Sequence, residues 1–308
     1  MASSGTPLEW FVFGAVVLAV FIIDFGILNR KAKKQSFRKA AVWSAFCIGV
    51  ALAFNAYVLY GHGLDKATTF LTAYLVEEAL SIDNLFVFLV IFTYFKVPDE
   101  FQHRILFWGI LSAMVMRAIF IVAGTALLAA FHWTMYVFGA FLVYTAIKLA
   151  LQKEEGVDPE KNPILKFGRK HLRISPDVRG GHFFVKHDGK LMATPLFLIL
   201  LVIEFTDLLF AVDSVPAVLA ISNDVFIIYT SNIFAILGLR ALYFVLSGMV
   251  GRFRYLRYGL VVVLLFIGVK MLLIDFVHLP TWASLAVIAT VLTVSISLSS
   301  IIPERKET

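Results

Sequence analysis

Two apolar runs of this chain are long enough to cross a bilayer and yet carry carboxylates near their centres. The first, Phe70 to Phe95, holds Glu77, Glu78 and Asp83, with Asn84 next; the second holds Glu204, Asp207 and Asp213, with Ser214 next. An ionised side chain at mid-bilayer costs about 2.5 to 3.5 kcal/mol even on insertion scales, so such acids normally face protein and serve a purpose. A backbone crossing lipid must satisfy its own polar groups, and runs of this length do so as helices. At 60% hydrophobic and 16% charged residues, a soluble domain is excluded. The fold class is therefore all-α and polytopic.

Runs of about 20 apolar residues suggest nine spans, near 8–28, 40–60, 70–95, 105–130, 133–151, 193–220, 225–249, 256–276 and 281–302. Residues 1–9 contain no Lys or Arg and the first run lacks a small-residue cleavage site, so it reads as an uncleaved first helix. Arg30, Lys31, Lys33, Lys34, Arg38 and Lys39 follow that span and put this connection on the cytoplasmic side, with the N-terminus outside and the C-terminus inside. With that orientation 22 of the 27 basic residues fall inside and only Lys66 outside. The net charge of +6 thus reports orientation, and no nucleic-acid partner is expected. One transmembrane domain, 1–308, is expected, in a plasma or inner membrane. The polar loop 152–192 ends in a small hairpin with a His187, Asp188, Gly189 turn. Lone Cys47 allows no intrachain disulfide.

The two acidic segments repeat one another. Glu77 and Asp83 are six apart with Asn84 next, and Asp207 and Asp213 are six apart with Ser214 next. Arg117-Ala118 then matches Arg240-Ala241, and Tyr136 to Lys148 matches Tyr258 to Lys270 without a gap. Residues 70–151 form repeat one (spans three to five) and 193–276 repeat two (spans six to eight). Each copy holds an odd number of spans, so the copies enter the membrane from opposite sides, the inverted repeat of many secondary transporters. Glu77 with Asp207, or Asp83 with Asp213, are expected to meet where the copies face each other.

On a regular helix a spacing of six separates side chains by about 120°, whereas Glu77, Ser81 and Asn84 share a face, as do Asp207, Ala211 and Ser214. Pro216 leaves the Val212 carbonyl without its helical donor beside Asp213, so a broken helix would supply an extra cation ligand. Carboxylate, amide, hydroxyl and carbonyl oxygens without nearby Cys or His suit hard cations such as Mn2+, Mg2+ and Ca2+. The candidate metal ligands are Glu77, Asp83, Asn84, Asp207, Asp213 and Ser214, with Arg117 and Arg240 as counter-ions or gates. Lys148 and Lys270 are expected to snorkel to opposite faces, and Asp24 to pair with the basic loop. Asn55, Thr206 and Asn232 fit a transport path or plain interhelical bonding equally well. No resident cofactor and no enzymatic activity are expected; the metal is cargo, and the partners are the bilayer and a divalent ion.

Four segments, Glu77 to Phe88, His182 to Pro195, Glu204 to Ala217 and Thr230 to Tyr243, closely resemble the TerC family of integral membrane proteins, in particular its Alx-type members. The resemblance implies a place in the LysE-type transporter superfamily and manganese efflux or divalent-metal homeostasis, with tellurium resistance as the historical label. It implies ion handling by Glu77, Asp83, Asp207 and Asp213, and ranks Glu78 below them. Two other expectations stay open: a non-transporting scaffold working through the 152–192 loop, and an amino-acid exporter.

Overall fold

The computed structural model describes residues 4–24, 37–131, 133–151, 165, 168, 174–175, 181–187, 190–247, 255–276 and 279–301. Within these stretches the side chains of Asp83, Val212 and Asp213 are among those outside the described residues. So are residues 25–36, with Arg30, Lys31, Lys33 and Lys34, and most of the 152–192 connection.

Helix α1 (Pro7–Ile22) starts where the sequence Thr6-Pro7-Leu8-Glu9 requires it to. Thr6 Oγ1 accepts from Glu9 N at 3.3 Å and Thr6 N donates to Glu9 Oε2 at 2.7 Å, a capping box with Pro at the first helical position. Helix α2 (Phe37–Tyr94) runs for 58 residues, about 87 Å if straight, far more than one bilayer crossing. It is interrupted at Gly63, whose φ of 84° and ψ of 177° place it in a region open essentially to glycine alone. The second and third expected spans are thus two helical arms that meet in a sharp reversal at Gly63 and pack side by side, with the Phe54 ring of the first arm 5.7 Å from the Phe70 ring of the second.

Helices α3 (Asp99–Ala130) and α4 (Thr134–Leu151) follow. The hairpin of β1 (Phe184–His187) and β2 (Lys190–Ala193) is antiparallel, with His187 opposite Lys190, while the expected Asp188-Gly189 turn lies outside the described residues. Then come α5 (Pro195–Leu219), α6 (Val225–Ser247), α7 (Leu256–Leu272) and α8 (Thr281–Ile301). Among the described residues six helices are long and apolar enough to cross a membrane, α2 counted once, while Pro7–Ile22 and Tyr258–Leu272 are shorter apolar helices. The protein is an all-α polytopic membrane protein, and its helices, with the two arms of α2 on either side of Gly63, match the expected spans to within about six residues apart from the shorter α1.

Helix α6 is the buried axis, packed along both α2 and α3, while α3 also packs on α5 and α4 on α7. Its polar side chains stay inside because each finds a partner: Thr230 Oγ1 donates to the Phe226 carbonyl at 2.7 Å and Ser231 Oγ to that of Ile228 at 2.9 Å. At the α4–α7 crossing two glycines meet. A Cβ on Gly139 would lie 3.0 Å from the Gly268 carbonyl oxygen, and one on Gly268 would lie 3.0 Å from that of Gly139. Gly139 also faces Leu272 while Gly268 faces Val143, so these helices run antiparallel. Close backbone approach through small residues is how helices associate without a hydrophobic drive between them.

The expected break at Pro216 does not occur, because α5 continues through it to Leu219. Pro216 lies in the last turn, where the missing donor interrupts little of the ladder, and its own carbonyl accepts from Ala220 N at 3.0 Å.

Candidate functional site

Glu77, Ser81 and Asn84 occupy one buried face of the second arm of α2. Ser81 Oγ donates to Glu77 Oε1 at 3.3 Å. The same oxygen forms an ion pair with Nη1 of Arg117 from α3, with side-chain exposures of 0% for Glu77 and 1% for Arg117. Arg117 Nη1 also donates to Asn232 Oδ1 of α6 at 2.7 Å. From α5, Asp207 comes within electrostatic range of both Arg117 and Glu77. It lines, together with Arg117, a small cavity whose other walls are apolar, Phe88, Ile110 and Ile236 among them. Four helices therefore deliver one acid of the first acidic segment, one of the second, an arginine and an amide to one place.

Glu77 Oε2, Asp207 Oδ2 and Ser214 Oγ have no hydrogen-bond partner among the described residues. Buried acceptors are seldom left unmet, and carboxylate and hydroxyl oxygens in this condition are suited to a hard cation. Yet no group of three or more His, Cys, Asp or Glu side chains that could hold a metal forms among the described residues. The set proposed from sequence is thus only partly brought together: Glu77 and Asp207 share a cluster, Asn84 and Ser214 are buried on the same faces, and the side chains of Asp83 and Asp213 lie outside the described residues.

The second arginine is held elsewhere. Arg240 Nη2 is ion-paired with Asp24 Oδ1, beyond the end of α1, so span one supplies an acid from outside the repeat. Of the basic connection expected to pair with Asp24, Arg30, Lys31, Lys33 and Lys34 lie outside the described residues. Glu78, one position from Glu77, is turned to another face and meets Tyr74 and Cys47. Glu204 accepts from Ser112 Oγ of α3. Lys148 is exposed, and Lys270, in the last turn of α7, donates from Nζ to Ser284 Oγ of α8 at 2.9 Å.

At the far end of the bundle lies a second polar group that the sequence reading missed. His62 Nε2 meets Glu9 Oε1 at 2.6 Å, Lys66 Nζ meets Asp224 Oδ2 at 2.6 Å, and Ser4 N donates to Asp224 Oδ1 at 3.1 Å. Burial works to raise the Asp224 carboxyl, but the hydrogen bonds from Lys66 and Ser4 outweigh it and hold it below the usual carboxylate range. Lys66 was the signal: it is the single basic residue expected on the outer side. Ser112 left a weaker one, a hydroxyl five residues before Arg117 in an apolar run.

Paired charges inside a helical bundle whose periphery is apolar define a polytopic membrane protein with a charged interior. Sequence comparison names the family: the chain belongs to the TerC family of integral membrane proteins, whose model, "Integral membrane protein TerC family", matches residues 62–307. The match begins beside Gly63, so α1 and the first arm of α2 precede it. An uncharacterized membrane protein of Myxococcus xanthus is 48% identical over 97% of this chain and 94% of its own length. A Salmonella typhi protein named for a proposed role as a membrane-bound redox modulator, Alx, is 45% identical over 100% of this chain and 98% of its own length. Its counterpart in Escherichia coli K12 is 43% identical over 97% and 96%. No solved structure matches the chain.

Proposed function

We propose that the protein is a secondary transporter exporting hard divalent cations, Mn2+ foremost, from the cytoplasm, in exchange for protons. The observation that carries this reading is the Glu77, Arg117 and Asp207 cluster. Two carboxylates from separate acidic segments keep unsatisfied oxygens in the bundle interior, that of Asp207 on a residue lining a small cavity together with Arg117. Supplying such acids without function costs stability, which makes a purely structural network a poor explanation. Asn84 and Ser214, with Asp83 and Asp213, would complete an all-oxygen ligand set, while Arg117 and Arg240 hold charge balance. The inverted repeat gives the alternation: one shared site between two oppositely oriented copies, the N-terminus outside and the 152–192 loop in the cytoplasm. The antiparallel α4–α7 contact supports that arrangement. The protein is not an enzyme and carries no resident cofactor; its partners are the bilayer and the cation.

The name of the Alx relatives suggests redox work, but one buried cysteine, Cys47, gives this chain no dithiol of its own. Reconstitution into liposomes tests the transport reading. Saturable Mn2+ flux, competed by other hard divalent ions and indifferent to lysine, is expected. A scaffold gives no flux; an amino-acid exporter is competed by basic amino acids and ignores metal. Either result sinks the proposal.

A further inference from the structure

We infer that Arg117 is a tethered internal cation that competes with the transported metal for the Glu77–Asp207 carboxylates, and that this competition sets both the selectivity for divalent ions and the charge of the return step. The inference rests on the transport reading above and names the residue that regulates its site.

Three observations carry it. Arg117 is fully buried and does not merely neighbour the acids: its Nη1 is ion-paired to Glu77 Oε1 and is fixed from the other side by Asn232 Oδ1 at 2.7 Å. Asp207 feels both charges and lines the same cavity as the guanidinium. The satisfaction is incomplete on both sides, since Glu77 Oε2, Asp207 Oδ2 and Arg117 Nε all lack partners among the described residues. A guanidinium serving only as a structural counter-ion would be expected to saturate its carboxylates in a bidentate fork. Among the described residues it stands on one carboxylate oxygen and leaves two others open.

A metal drawn to those open oxygens would lie within a few ångströms of the guanidinium, in surroundings where charge interactions are strong. Full coordination by Glu77 therefore requires Arg117 to leave it. Occupancy becomes an exchange of one cation for another. Na+ or K+ brings a single charge and gains little over a guanidinium already in place, whereas a divalent ion gains twice the attraction to each carboxylate. When the metal departs, Arg117 returns to Glu77, so the site goes back with its charge largely neutralised by the chain itself. Asn232 is a positioning residue in this scheme: from α6 it holds the guanidinium at the carboxylate.

The test is Mn2+ binding to the purified full-length protein, followed by the loss of the free-ion electron paramagnetic resonance signal, with and without 100 mM NaCl. Arg117→Gln is expected to bind Mn2+ about tenfold tighter and to become sensitive to NaCl beyond the ionic-strength effect seen in wild type. Equal or weaker binding in folded Arg117→Gln overturns the inference. Where that variant does not purify as a monodisperse species, Asn232→Ala decides, because it keeps every charge and loosens only the hold on the guanidinium. A severalfold gain in Mn2+ affinity supports the competition, and an unchanged or lower affinity removes it. Absence of Mn2+ binding in wild type is a separate result, since it overturns the transport reading itself.

Discussion

At the scale of single residues, the two acids of the central cluster carry different burdens. Glu77 is the direct partner of Arg117, so removing its charge strands a buried guanidinium. Glu77→Ala should cost about 3 to 5 kcal/mol and reduce the amount of folded protein in membranes. Asp207 feels Arg117 without a direct ion pair among the described contacts, and its Oδ2 is unpartnered. Asp207→Asn should therefore leave membrane abundance near wild type and lower Mn2+ efflux at least about tenfold, a loss of roughly 1.4 kcal/mol of site stabilisation. Measuring abundance and efflux together separates the roles: normal efflux per molecule in Asp207→Asn would take that carboxylate out of the transport site. Residue chemistry of this kind was legible in the sequence, because an acid in an apolar run announces itself. Which acid faces which arginine was not.

Elements show where glycine is required and where it is incidental. Gly63 sits at φ 84° and ψ 177°, while Gly61, two residues earlier, keeps φ outside the positive range and has nothing within 4 Å of its would-be Cβ. Gly63→Ala should lower stability by about 1 to 3 kcal/mol through backbone strain, and Gly61→Ala should be neutral or stabilising by up to about 1 kcal/mol. Thermal unfolding in detergent compares them directly; equal midpoints for the two variants would mean that α2 does not need its kink. At the other crossing, a Cβ on Gly268 would stand 2.9 Å from Val143 Cγ2 and 3.0 Å from the Gly139 carbonyl oxygen. Gly268→Ala should thus push α4 and α7 apart at a cost of about 1 to 3 kcal/mol. A midpoint equal to wild type would contradict this contact. Helix positions were readable from apolar run length alone. The sharp reversal at Gly63, with no loop between the second and third spans, was not, because a glycine between helices has the same sequence signature whether the chain turns over it or continues through it.

For the whole molecule, the ends of the bundle are tied differently from its middle. Ser4, Lys66 and Asp224 join the N-terminal segment, the α2 kink region and the α5–α6 connection. Because the Asp224 carboxyl is held below its ordinary value in the folded protein, its contribution is fully present above the unfolded carboxylate value of about 3.9. That contribution is lost as pH falls through the folded value. The unfolding midpoint of wild type should then exceed that of Asp224→Asn at neutral pH, and the gap should close on acidification below about pH 4. A gap independent of pH would mean the ion pair contributes nothing. Sidedness is tested separately: a cysteine introduced at Lys170 should resist membrane-impermeant thiol reagents in intact cells, and one at Lys66 should react. Labelling at position 170 from outside would reverse the topology.

By itself the sequence determined the class, most helix boundaries, the hairpin and the candidate acids, because apolar run length, turn residues and the cost of charge in lipid are local or one-dimensional properties. Tertiary structure alone decided the pairings. Arg117 reaches Glu77 and Asn232, Arg240 reaches Asp24 rather than being defined by its place in the repeat, and Lys270 ends on Ser284. Near-identical motifs acquire different partners because a buried charge is stabilised by whatever group the packing of another helix brings within hydrogen-bond reach. That distance is a property of how the helices cross, which no spacing along the chain records.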